Sequence, residues 1–153
     1  MRLALASDHA GYDLKQELLA LLQGWGHQVE DLGTHSKEPV DYPDAAEAVA
    51  GALREGRAER GIVACGSGAG VSIAANKFPG IRAAVCHDTY TAHQAVEHDD
   101  LNVLCLGARV VGGALAADIA AAFLGARFSG EGRHRRRLDK VLAIERQFLR
   151  TAD

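Results

Sequence analysis

Several things are scarce in this chain. Its 153 residues hold only three cysteines, three prolines and one methionine, and no apolar stretch is long enough to span a membrane. Cys65, Cys86 and Cys105 are odd in number and far apart, which rules out a paired disulfide framework and a zinc knuckle. Reduced thiols in a cytoplasmic protein follow. Positive charge is also lacking. The formal net charge of −3 leaves no overall field to attract a nucleic-acid backbone. Seven histidines occur without His-x-x-x-His or His-Glu-x-x-His, and His93 and His98 stand five apart, so no metal is expected. No Gly-Lys-Ser/Thr follows a glycine loop, which excludes a Walker-type phosphate site. The apolar start Met1–Ala6 is too short for a secretory signal.

What is present is glycine and an alternating pattern. Seventeen glycines exceed the usual share of about 7%. Short apolar runs at Leu3–Ala6, Gln28–Leu32, Ile62–Cys65, Ile81–Cys86 and Val103–Leu106 read as strands. Helical spacing falls between them, over Tyr12–Gln23, Ala45–Arg54 (opened by Tyr42-Pro43-Asp44), Val71–Lys77, Thr91–His98 and Gly112–Leu124. A last amphipathic helix covers Leu138–Arg150, reaching back to about residue 134 if the basic run joins it. Strand–helix alternation predicts an α/β fold: a three-layer Rossmann-like sandwich with a five-stranded parallel sheet and helices on both faces. With no internal repeat or linker, residues 1–153 read as one domain, its C-terminal helix packing on a partner subunit.

Ligands of such sheets bind beyond the carboxyl ends of the strands. Asp8-His9, Cys65–Gly70 and His87-Asp88 all fall there. The run from Cys65 to Gly70 (CGSGAG) carries most of the chemical information, because glycine at every second position lets main-chain N–H groups converge on an anion. A thiol at the edge of such a nest is a candidate base. Free cysteine is also a common core residue, so the flanking glycines decide the reading. The same glycines could serve a dinucleotide, with Asp88 as the ribose-binding acid. Against this, Gly70 is out of register for the third glycine and the loop follows the third strand. Arg133 and Arg137, spaced i, i+4, suit one phosphate group better than a polymer in an acidic protein.

Taken together, Ser7–Gly11 (SDHAG), Asp41-Tyr42-Pro43, Cys65–Lys77 (CGSGAGVSIAANK), Gly80–Ala83, Asn102–Leu104, Gly107–Gly112 and Gly132-Arg133-His134 with Arg137 resemble the type B ribose-5-phosphate isomerases. The related isomerases of galactose 6-phosphate and allose 6-phosphate share the likeness, which covers nearly the whole chain. It implies interconversion of ribose 5-phosphate and ribulose 5-phosphate through an enediolate, without cofactor, in a homodimer or dimer of dimers with shared sites. The resemblance makes Cys65 the base, assisted by Ser67, with the amides of Gly66, Ser67, Gly68, Ala69 and Gly70 stabilising the enediolate. Asp8 and His98 match ring-opening positions, with His98 as the acid. His9, Arg133 and Arg137 match phosphate contacts, and Tyr42, Asp99 and Arg109 further substrate contacts. Where some members use a glutamate as base, Ala69 and Val71 stand here, which leaves Cys65. Asp99 departs from an expected asparagine. A hexose-phosphate isomerase and a non-catalytic nucleotide-binding module are the rival readings.

Overall fold

The computed structural model describes residues 1–149. Its strands are β1 (Arg2–Ser7), β2 (Gln28–Asp31), β3 (Arg60–Cys65), β4 (Ala83–Val85) and β5 (Val103–Gly107). Its helices are α1 (Tyr12–Gly24), α2 (Tyr42–Arg54), α3 (Ala69–Ala75), α4 (Thr89–Asp99), α5 (Gly113–Gly125) and α6 (Gly132–Phe148). All strand pairs are parallel, in the order β2-β1-β3-β5-β4. The α/β sandwich expected from the sequence is therefore present.

Alternation along the strands feeds two apolar layers. Leu3, Leu5, Ile62, Leu104 and Leu106 face α1, α4 and α5 with Leu18, Leu22, Val96 and Phe123. Ala4, Ala6, Val63, Val103 and Cys105 face α2 and α3 with Ala46, Val49, Ala50 and Val71. The second layer consists largely of alanine and valine, so α2 lies close to the sheet. Burying such side chains, at about 25 cal/mol per Å² of apolar surface, is the main force holding the layers together.

A lysine is buried in this framework. Lys15 of α1 is fully enclosed, and its Nζ donates to Asp31 Oδ1 of β2 at 2.7 Å. The same carboxylate oxygen accepts from the Gly33 N–H. Burial on its own would raise the Asp31 carboxyl, but these two bonds and the charges of Lys15 and His35 bring it below its ordinary value. At the other end of the molecule, Arg60 donates to the carbonyls of Phe123 and Ala126 and caps the last turn of α5.

Several boundaries differ from expectation, α4 among them, which begins at Thr89 and not Thr91. α6 begins at Gly132, not Leu138, because the arginine run is itself a good helix former and is anchored by buried His134. Arg135 also lies over the Phe128 ring, 4.8 Å from its centroid. Strand β4 is shorter than Ile81–Cys86, since Ile81 turns into the core and the Arg82 N–H goes to the Asn102 side chain instead of a neighbouring strand. α3 starts two residues before Val71, directly on the glycine loop. The expected last residue of the C-terminal helix, Arg150, lies outside the described residues.

Candidate active site

The order of the sheet singles out one crevice. The chain runs from β1 out to β2 and then returns to place β3 on the other side of β1. The loops leaving β1 and β3 therefore diverge, and open α/β sheets bind ligands in the gap between them. Ser7 pairs with Ala64 in this register, so Asp8 and Cys65 emerge side by side.

Asp8 is buried, and its Oδ1 accepts from the Gly11 N–H at 3.0 Å, which holds the carboxylate at the start of the β1–α1 turn. Cys65 is 4% exposed, yet it lines an opening of about 350 Å³. Asp8, Tyr42, Gly66, Ser67, Gly70, Arg109 and Val110 complete the wall of that opening. The Gly68 N–H donates to Cys65 Sγ at 3.1 Å, and the Ala69 N–H donates to Ser67 Oγ at 3.2 Å. Gly68 reaches this position at φ +81°, where an added Cβ would meet the Leu106 carbonyl carbon at 2.9 Å. Gly70 is constrained from the other side, since a Cβ there would lie 2.8 Å from the Tyr42 ring. Arg109 is set over the loop by its own main chain, whose N–H donates to the Gly66 carbonyl at 3.0 Å. The opening thus holds a thiol, a hydroxyl, a carboxylate, a guanidinium and a curl of main-chain amides.

The other two thiols have no such role. Burial, with the charge of Asp88, pushes Cys86 up to about 11. Burial pushes Cys105, a wholly enclosed residue of β5, higher still.

The remaining site residues named from sequence lie elsewhere in the chain. His9 Nδ1 lies 3.1 Å from the Val40 nitrogen and 3.2 Å from its carbonyl oxygen, which fixes the loop before Tyr42. His98, near the end of α4, lines a separate opening of about 460 Å³ with Thr89, Tyr90, His93, Gln94 and Glu97. Asp99 and Arg137 face a third, largely apolar opening of about 540 Å³ between α6 and β4. Arg133 is paired with Glu131. One chain therefore brings together Asp8, Tyr42, Cys65, Gly66, Ser67, Gly68, Ala69, Gly70 and Arg109, and leaves His98, Asp99, Arg133 and Arg137 on the α4–α6 side.

Two residues escaped sequence reasoning. Val110 lines the thiol opening, and buried His134 stacks on His98 with ring centroids 3.9 Å apart. Val110 follows Arg109 directly and was inferable once that loop was placed. The stack joins two separate helices, and no spacing reveals it. His87 and Asp88, also at a strand end, are engaged in the framework: His87 Nε2 accepts from the Gly107 N–H, and Asp88 caps α4 through Thr91. The acid that a dinucleotide ribose would need is thus already occupied. Among the described residues, no cluster of three or more His, Cys, Asp or Glu could hold a metal ion, and no helix is long and apolar enough to cross a membrane.

A parallel α/β sheet with a thiol, a carboxylate and a glycine nest at its seam is an enzyme-like arrangement, and comparison with known proteins supplies the class. The Ribose/Galactose Isomerase family matches residues 3–141, and the chain belongs to that family. It is an isomerase of the ribose-5-phosphate isomerase B type. It is 48% identical over 146 residues to ribose-5-phosphate isomerase B of Escherichia coli (strain K12), covering 95% of this chain and 97% of that one. The D-erythrulose-4-phosphate isomerase of Pectobacterium atrosepticum is 43% identical over 136 residues, covering 86% and 88%. Among solved structures, ribose-5-phosphate isomerase B of Clostridium thermocellum superposes with a TM-score of 0.94 at 51% identity, covering 97% of this chain and 99% of that one. The Mycoplasma genitalium enzyme, solved with bound ribulose-5-phosphate, gives 0.89 at 40% identity, covering 95% and 97%.

Proposed function

We propose that this isomerase interconverts ribose 5-phosphate and ribulose 5-phosphate without a cofactor, using Cys65 as the base that carries a proton between C2 and C1. The observation that supports this most is the thiol at an opening beside the convergent amides of Gly66–Gly70. In the forward direction the furanose opens first. The C1–O4 bond breaks, O4 takes a proton from His98, and the C1 hydroxyl gives its proton to Asp8. Cys65 then removes the C2 proton, and the electron pair forms the C1–C2 double bond while the charge moves to O1. Main-chain donors and Ser67 meet that oxyanion, the kind of contact worth about 3–4 kcal/mol per donor in other enzymes. Return of the proton to C1, with the O2 proton passing to O1, yields the ketose. No redox partner is consumed.

The phosphate needs cations beyond those around Cys65. We read the working unit as a homodimer, or a dimer of dimers, in which His98, Arg133 and Arg137 of the partner subunit close the site, while His9 and Arg109 come from the same chain as Cys65. The exposed apolar residues of α6, with Phe148 70% exposed beside Val141 and Ile144, suit such a contact. The chain is read as one catalytic domain acting in the cytoplasm within pentose-phosphate metabolism. The test is a substrate panel of ribose 5-phosphate, allose 6-phosphate, galactose 6-phosphate and erythrulose 4-phosphate. Turnover greatest with ribose 5-phosphate is the expected result; a higher kcat/KM for any other member would replace the substrate.

A further inference from the structure

The α4–α6 side holds a pair of imidazoles that the reaction as described uses only in part. His98 is partly exposed and lines an opening; His134, across from it on α6, is 2% exposed. Their rings stack at 3.9 Å with planes 25° apart. Each ring is held at one nitrogen. The Ser129 hydroxyl bonds His134 Nδ1 at 2.6 Å, and the Gln94 side-chain amide donates to His98 Nδ1 at 2.9 Å. A donor at Nδ1 puts the proton of neutral His98 on Nε2, the nitrogen that points toward Glu97 Oε1 at 3.6 Å. Ser129 is fixed in turn: its hydroxyl accepts from the Glu131 N–H, and its own N–H donates to the Glu97 carbonyl.

We propose that His134 is a positioning residue for His98, a flat partner clamped by Ser129 that sets the plane of the His98 ring so that its Nε2–H is presented for proton donation to the sugar ring oxygen. This rests on the reading of His98 as the ring-opening acid. The surroundings favour the arrangement. Gln94 and Glu97 of α4, Ser129 and Glu131 before α6, and Arg133 and Arg137 on α6 face the pair or act on it. Burial, with the charges of His98, Arg133 and Arg137, holds His134 below the ordinary histidine value against the opposing pull of Glu131. The flat face of His134 against the His98 ring fixes its plane, whereas two charged rings at this separation would repel.

Three variants test the idea: His134→Phe, which keeps a ring against His98; His134→Ala, which removes it; and Ser129→Ala, which frees the clamp. With ribose 5-phosphate we expect kcat to fall about tenfold in His134→Ala with KM changed less than twofold, a fraction of the roughly 10²–10⁴-fold that a general acid itself contributes. His134→Phe should recover to within about threefold of the unmodified enzyme, and Ser129→Ala should lose about threefold. A raised KM at unchanged kcat would make His134 a ligand contact and overturn the proposal; so would His134→Phe as impaired as His134→Ala, or no change in any variant. NMR of the His98 ring protons supplies a readout independent of turnover. Their upfield ring-current shift should persist in His134→Phe and Ser129→Ala and vanish in His134→Ala, and its absence from the unmodified protein refutes the stack. If the unmodified enzyme leaves ribose 5-phosphate untouched while that shift is present, the substrate reading fails and the placement of His98 stands.

Discussion

The seam between β1 and β3 and the α4–α6 side are built by different means. At the seam nearly every contact is main chain: Gly68 N–H to Cys65 Sγ, Gly11 N–H to Asp8, Ala69 N–H to Ser67. On the α4–α6 side the contacts are between side chains: Gln94 with His98, Ser129 with His134, and one ring on the other. Main-chain geometry is set by strand ends and glycine, so it tolerates few substitutions but needs no partner. Side-chain geometry can be retuned residue by residue. Under the proposed mechanism, a thiol that meets an enediolate within a few tenths of an ångström gains from the first kind of support. A proton donor whose ring must only face the right way can rely on the second.

The sharpest way to break this comparison is Cys65→Ala. We expect kcat to drop about 10³-fold or more, within the range of a lost general base, with little change in thermal stability, because one sulfur at an opening leaves a small gap. Steady-state assays beside a melting curve decide it, and retained turnover would remove Cys65 from the chemistry. Gly68→Ala comes next. The left-handed φ and the nearby Leu106 backbone should cost about 2–3 kcal/mol of stability. Displacing the amide from Cys65 should lower kcat about 100-fold. Chemical denaturation and kinetics report the two effects separately.

Mixing sharpens the comparison further. Arg137→Ala alone should raise KM about tenfold as one phosphate contact is lost. If the two regions meet only across a dimer, Cys65→Ala and Arg137→Ala chains refolded together should regain about a quarter of the intact sites, since each mixed dimer carries both lesions in one site and none in the other. Zero recovery would place both groups in one chain's site. The smallest effect concerns pH. His134 is held below the ordinary value of 6.5, so the unfolded chain binds more protons as pH falls through 6.5 and stability declines there. In His134→Phe that decline should be shallower in denaturation curves taken between pH 5 and 7.

Much of the fold and one of the two regions could be read before any coordinates. The CGSGAG run announced a nest because glycine spacing is local, and Asp8 joined it because parallel strands deliver their ends to one side. The start of α6 was harder. A run of arginines does not by itself mark where a helix begins, and the anchor, His134, is visible only when α4 is packed against it. The β4 boundary was missed for a similar reason: Ile81 is apolar enough for a strand, but Asn102 claims the N–H of the next residue. Local chemistry was legible, and long-range pairing of side chains was not.

The enclosed Lys15 has a consequence for how this molecule would come apart. Among the described residues its ammonium has one anionic partner, Asp31, and that partner belongs to the outermost strand on its side of the sheet. Because the carboxyl is held below its ordinary value of 3.8, the pair lends stability above that value and surrenders it as acid titrates the native group. Strong acid would then leave a sealed cation without a counterion beneath a four-residue edge. The first segment to peel away should be β2, with the loop that carries His9's tether following it, so the sugar site would loosen from its rim while the sulfur's own strand still held.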